Sequence, residues 1–225
     1  MQLIDADKAQ PGMTILTKAQ TKGKGQRGKT WADRPGESLL MSLVTEPQLG
    51  LEHQFVFSAT VATAIVKVLE MLYPKWQIHI KWPNDIIIND KKAGGILIEN
   101  ILRGSKWSYA VIGFGLNVLQ KDFGPDLPTA TSLYLASGVL FEVDQLMQLL
   151  RQEIIQHLTR PESTDTVMHT YNKHLYQKNA WQRFDQDSRE TYYLLKQVHG
   201  NGQLETVDGE GATHFFNHGD ITWKW

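Results

Sequence analysis

Three stretches of this chain carry their hydrophobic residues at helical spacing, while the remaining apolar positions alternate or cluster in short β-rich blocks. Leu51 to Tyr73 contains no proline and sets Val61, Ile65, Val68 and Leu72 on one face, which predicts a long helix. Val143 to Leu158 has a stripe of Val143, Leu146, Leu150, Ile154 and Leu158, and Thr164 to Tyr176 predicts a third helix. Met13 to Thr17, a β-branched run after the Pro11-Gly12 turn signal, predicts a strand feeding the glycine-rich Gly23 to Gly28. Further strands are expected at Ser38 to Val44, Ile78 to Trp82, Ile86 to Ile88, Ala93 to Ile101 and Lys106 to Ile112. Pro83-Asn84, Asn89 to Lys92 and Arg103 to Ser105 separate the last four, a spacing that predicts an antiparallel meander. From Ala180 the pattern shifts to the alternation of Glu190 to Leu195, a turn at Gly200-Asn201-Gly202 and further short strands, which is the pattern of a small SH3-like β-barrel. The expected fold is α+β: a mixed, mainly antiparallel sheet with helices packed on it over residues 1–178, and the barrel over 179–225.

Composition narrows the function. A chain of 225 residues with 41% hydrophobic content can bury one ordinary core and carry a small module beside it. A net charge of -1 gives no global basic field to gather nucleic acid or an anionic membrane. With no cysteine, disulfides, thiolate nucleophiles and zinc-thiolate sites are excluded, and a reducing, cytoplasmic setting is expected. The apolar runs fall short of the ~20 residues of a membrane span, so none is expected.

Gly23-Lys24-Gly25-Gln26-Arg27-Gly28-Lys29-Thr30 satisfies both the G-x-G-x-x-G dinucleotide pattern and the G-x-x-x-x-G-K-T phosphate-loop pattern. Either site needs the loop to open a helix whose first amides hold phosphate, yet Pro35-Gly36 closes any helix within about two turns. What remains is a flexible cationic loop in which Lys24, Arg27 and Lys29 sit among glycines that let backbone amides approach a polyphosphate or an acyl-adenylate. The alternative is a solvated basic turn. A second constellation is Lys81-Trp82-Pro83-Asn84-Asp85, followed by Lys92-Ala93-Gly94-Gly95. A hairpin through Asn89 to Lys91 folds Lys92 back toward Asp85 and gathers cations and a carboxylate around one pocket. The structural alternative makes Trp82 core, Pro83 a turn former and Asp85 a cap.

These motifs, in this order and followed by a G-x-G-x-N turn at Gly113-Phe114-Gly115-Leu116-Asn117, resemble those of the biotin protein ligases. The resemblance covers nearly the whole chain. It implies a class II synthetase-like catalytic domain, ATP and biotin as substrates with Mg²⁺, and a biotin carboxyl carrier domain of acetyl-CoA carboxylase or a related carboxylase as partner, with the enzyme a monomer or homodimer. By resemblance, biotin contacts map to Gln20, Lys24, Gly25, Gln26, Lys92, Gly94 and Gly95. Contacts to ATP or the adenylate map to Lys24, Arg27, Lys29, Trp31, Asn84, Gly113, Gly115 and Asn117. Lys92, Arg27 and Lys81 are the expected catalytic cations, and Asp85 the expected Mg²⁺ ligand.

Three departures from the family pattern stand out. The Ser-Thr-Asn motif that precedes the first strand in relatives is missing, and Met1 to Asp5 reads as the back half of a helix without a cap. The expectation is a natural start about ten or more residues upstream, and weakened biotin affinity for this form. Gln26 stands where many relatives carry an arginine that holds the adenylate, leaving Arg27 or Lys24 to supply that charge. The winged helix-turn-helix of repressor-type members does not appear in the sequence, so no operator binding is expected. Competing readings are a lipoate or octanoate ligase or transferase of the same superfamily, a P-loop NTPase, and a catalytically inactive biotin-binding module.

Overall fold

The computed structural model describes residues 8–21, 23–28 and 30–224. The proposed half-helix at Met1 to Asp5, and Lys29, lie outside the described residues. Six strands form an antiparallel sheet: β1 (Thr14–Thr17), β2 (Ser38–Thr45), β3 (Ile78–Lys81), β4 (Asp85–Ile88), β5 (Lys91–Arg103) and β6 (Lys106–Asn117), in the order β1-β2-β6-β5-β4-β3. Helix α1 (Gln54–Leu72), helix α3 (Val143–Thr159) and helix α4 (Thr164–Lys173) are joined by a short α2 (Leu133–Ser137).

Alternation along each strand sorts the sheet into two faces. Leu39, Met41 and Leu43 of β2, Ile86 and Ile88 of β4, and Ile112, Phe114 and Leu116 of β6 belong to the main core with Ile65 and Leu69 of α1 and Leu150 and Ile154 of α3. The opposite face carries Leu40, Ser42, Gly95, Leu97, Glu99, Val111, Gly113 and Gly115, and there a pocket forms. Helix α1 with the 3-10 turn before it (Leu51–Leu72) is long and apolar enough by composition to cross a membrane. That departs from the sequence expectation, but this helix spends its apolar surface on the core of the fold, as the burial of Val61, Ala64, Ile65 and Leu69 shows.

The β4–β5 hairpin turns on Asn89 and Asp90, both with positive φ (49° and 63°), a conformation that Asn and Asp tolerate and that suits the right-handed twist of paired strands. Two expectations are corrected, and one helix is added. Gly113 to Asn117 is not a turn: β6 runs on to Asn117, because Phe114 and Leu116 fill the core while the glycines between them pair with β2 and β5. The third helix stops at Lys173, because His174 and Tyr176 bond to both sides of Ile80 at 2.7 and 2.9 Å, using the open edge of β3. Helix α2 was not anticipated; Ser132 caps it by accepting from the Leu135 amide at 3.0 Å, and Gly138 ends it at φ 73°.

The chain then builds a second antiparallel sheet from β7 (Trp181–Gln186), β8 (Arg189–Val198), β9 (Leu204–Val207), β10 (Thr213–Phe216) and β11 (Thr222–Trp223), ordered β10-β9-β8-β7-β11. Phe184, Leu195, Leu204 and Phe216 from this sheet join the main core. Two histidine–carboxylate pairs brace its outer strands, His199–Glu205 and His214–Asp208, each at 2.7 Å. The hydrogen bond from His214 holds Asp208 below the usual carboxylate range, and one from Gln197 does the same for Glu205. A depressed folded-state pKa contributes stability above the unfolded carboxylate value and loses it as pH falls through the folded one. Asp208→Asn should therefore lower thermal stability at neutral pH and flatten its decline below about pH 4. Melting curves of both proteins across that window check this; parallel pH profiles would show that the pair is not coupled to folding.

Candidate active site

The pocket lies on the face of the large sheet opposite α1 and encloses about 390 Å³. Strand register arranges its floor in three rows across β5, β6 and β2: Gly95, Gly115 and Leu40; then Leu97, Gly113 and Ser42; then Glu99, Val111 and Val44. A Gly-x-Gly in a strand puts both glycines on one face, so the first two rows present bare backbone to whatever lies above them. Val44 and Val111 cluster with Ala9, which closes the third row.

The glycine-rich loop folds over this floor as a small hairpin, with an isolated bridge between Lys24 and Thr30 and a Trp31 amide bond to the Gly23 carbonyl at 3.1 Å. Trp31 rests directly on the first row: a Cβ at Gly115 would lie 2.9 Å from Trp31 Cε2, and one at Gly95 would lie 3.3 Å from its Cζ3. No helix follows Thr30; residues 31–37 are coil and turn. The phosphate-loop and dinucleotide readings both required one, and both fail here.

At the same end, Lys92 Nζ sits 2.7 Å from Asp85 Oδ1 and 5.9 Å from the Trp31 ring centre. Asp85 pairs with Gly95, and the register shift between Ile86 and Ile87 brings Lys92 to the same face, just beyond the residues that line the pocket. Lys92 is fixed further by its backbone, whose amide donates to the Thr129 carbonyl at 2.7 Å while its carbonyl accepts from Thr131 at 2.8 Å. The Trp82–Pro83 peptide bond is cis. The turn it belongs to is pinned from three sides. Tyr171 of α4 donates to the Pro83 carbonyl at 3.0 Å, Asn84 Nδ2 donates to the Ile96 carbonyl, and the Ile96 amide returns a bond to the Asn84 carbonyl at 3.0 Å. Burial, aided by the Asp85 charge, pushes the Tyr171 phenol above its ordinary range, so it stays a neutral donor.

The remaining expected site residues divide. Gln20, Lys24, Trp31, Gly95, Gly113 and Gly115 line the pocket. Gly94 faces the core, where a Cβ would meet the Gly115 carbonyl at 2.9 Å. Asn117 is buried and donates to the Thr131 carbonyl at 3.0 Å, which makes it a brace for the segment beside Lys92. Lys81 is buried with its Nζ 5.2 Å from the Trp223 ring centre, and Trp82 donates to the Gly202 carbonyl at 3.0 Å, so both face the second sheet. Arg27, at φ 54°, lays its guanidinium against Gly219 in the turn between β10 and β11, where any Cβ would collide with it. Gly25 and Gln26 belong to the loop but not to the pocket lining, and Gln26 Oε1 is buried without a hydrogen-bond partner. Asp85 does not fit a resident cation: its carboxylate is engaged by Lys92, and no group of three His, Asp or Glu lies together among the described residues. Sequence reasoning missed Leu40, Ser42, Leu97, Glu99 and Val111, whose alternation with core residues was the available signal.

Residues 2–117 match the Biotin/lipoate A/B protein ligase family. The chain belongs to that family. It is 35% identical over 153 residues to the bifunctional ligase/repressor BirA of Bacillus spizizenii, a match covering 67% of this chain and 44% of that protein. It is 30% identical over 155 residues to the biotin–[acetyl-CoA-carboxylase] ligase of Paracoccus denitrificans, covering 65% of this chain and 64% of that one. The chain thus spans less than half the length of the Bacillus relative and under two thirds of the Paracoccus one. The fold is that of the biotin protein ligase from Aquifex aeolicus solved in complex with biotin and ATP, with a TM-score of 0.81 at 20% identity over 96% of this chain and 90% of that one.

Proposed function

We propose that this chain is an ATP-dependent biotin–protein ligase that forms biotinyl-5'-AMP and transfers the biotinyl group to a lysine of a carboxylase carrier domain. The observation that carries this reading is the pocket over the strand floor, bare at Gly113, with Trp31 and the Lys92–Asp85 pair at one end, where a small acid beside the indole can turn its carboxylate toward a fixed ammonium. In the first step a carboxylate oxygen attacks the α-phosphorus of ATP, forming the mixed anhydride as the bond to pyrophosphate breaks. Both reactants are anions, so the step needs positive charge held where negative charge builds. Lys92, oriented by Asp85 and by its paired backbone, supplies it without reorganising during the reaction. ATP arrives as its Mg²⁺ complex, and the metal is treated as part of that substrate. Trp31 covers the Lys92 end of the floor and shields the anhydride from water. In the second step the acceptor amine attacks the acyl carbon, AMP leaves, and the amine sheds its proton.

The test is the mass of an apo carrier domain after incubation with the enzyme, Mg²⁺-ATP and either biotin or lipoate. One added biotinyl group, with stoichiometric AMP and pyrophosphate, is the expected result. Modification by lipoate alone, or ATP turnover without any acyl-adenylate, would overturn the proposal.

A further inference from the structure

The pocket has a lysine–carboxylate pair at each end, tight at Lys92 and Asp85 and loose at Lys24 and Glu99. Lys92 and Asp85 flank the first row of the floor, while the third row ends at Glu99 on β5. Gly95 and Glu99 are four steps apart along the strand, a span of about 13 Å at ~3.3 Å per residue. Between them the middle row of the floor sets Leu97 beside Gly113 and Ser42, and Gln20 and Thr21 also line the pocket. Among the described residues lining the pocket, Glu99 is the one carboxylate and Lys24 the one cation, and their charged atoms lie 3.9 Å apart. An ion pair that loose and partly exposed adds little to stability, which leaves both groups open to a ligand.

From this arrangement we infer that Glu99 accepts a hydrogen bond from an N–H of the ligand's ring, while Lys24 donates to the carbonyl beside it. The inference rests on the ligase reading and names what selects the acid. A cyclic urea offers an N–H donor and a C=O acceptor side by side, the complement of a carboxylate next to an ammonium. A dithiolane ring or an alkyl end offers neither, and would leave Glu99 beside Val111 with only its loose Lys24 partner. Glu99 is thus a specificity residue at the end of the pocket remote from the chemistry. It distinguishes biotin from lipoate, whose carboxylate tails make the same demands at Lys92.

Calorimetric titration of the full chain with biotin and with lipoate tests this, using Glu99→Gln and Glu99→Ala. Losing one charge-assisted hydrogen bond should weaken biotin binding by about 10- to 100-fold in the alanine variant. The glutamine variant, which keeps the shape, should lose somewhat less. Lipoate affinity should stay level or rise in both. If biotin affinity is unchanged in both variants, or if both acids weaken equally, Glu99 is not the acceptor although the ligase reading stands. If the unaltered chain binds lipoate and not biotin, the ligase reading itself falls and this inference with it.

Discussion

Replacing Lys92 with alanine is expected to lower biotin-dependent pyrophosphate release by a factor on the order of 100 or more while the fold survives. The size follows from where the ammonium stands: 2.7 Å from Asp85, beside the Trp31 ring and at the end of the glycine floor. Removing it subtracts positive charge from a step in which two anions combine, and leaves Asp85 as an unpaired negative charge in the same place. The second effect can be separated from the first. Lys92→Ala combined with Asp85→Asn removes the repulsion without restoring the cation, so it should recover only a small part of the rate. Folding should tolerate the change because the Lys92 backbone bonds to Thr129 and Thr131, which hold that strand in place, do not involve its side chain. Near-normal pyrophosphate release by the single variant would remove Lys92 from the mechanism, and rates close to normal in the double variant would show that electrostatic repulsion alone had slowed the single one.

Much of this site was legible because its motifs are local. The Asn89-Asp90 turn needs two residues that accept positive φ, and that alone brings Lys92 back toward Asp85. Gly113 and Gly115 were flagged as ligand-facing, but their segment was assigned to a turn because glycine marks both turns and bare strand faces. The alternating Phe114 and Leu116 held the evidence for strand. Ser42, Leu97 and Glu99 were not anticipated, because their place depends on cross-strand register. Alternation with core residues gives the face each takes, but which residues stand beside them across the sheet is set by register, and nothing local to them fixes that. Lys81, Trp82 and Arg27 show the converse. Their motifs are local, yet the groups they meet, Trp223, Gly202 and Gly219, lie in the second sheet and its turns, beyond the reach of any local pattern.

Gly115→Val should be as damaging as the loss of Lys92, for a steric reason. Even a single Cβ at this position would lie 2.9 and 3.0 Å from Trp31 Cε2 and Cζ2, closer than packed carbons approach, so a branched side chain must expel the indole from the floor. That displaces the lid over the Lys92 end and pushes the indole into the space beside it that receives the acid. Catalytic efficiency with biotin should fall by about 100-fold or more, with binding and turnover both affected, because one change removes the surface that receives the acid and the cover that excludes water. Gly113→Ala provides the graded comparison. Its Cβ would sit 3.2 Å from the Leu97 carbonyl, a tight but tolerable contact that narrows the middle of the pocket and leaves Trp31 in place. It should weaken biotin binding with little change in turnover, and its melting temperature should hold or rise, since alanine loses less backbone entropy in a strand than glycine. Steady-state kinetics of the two variants, with melting curves as the control for folding, decide the matter. A Gly115→Val enzyme with normal efficiency would show that neither the bare floor nor Trp31 takes part in holding the acid.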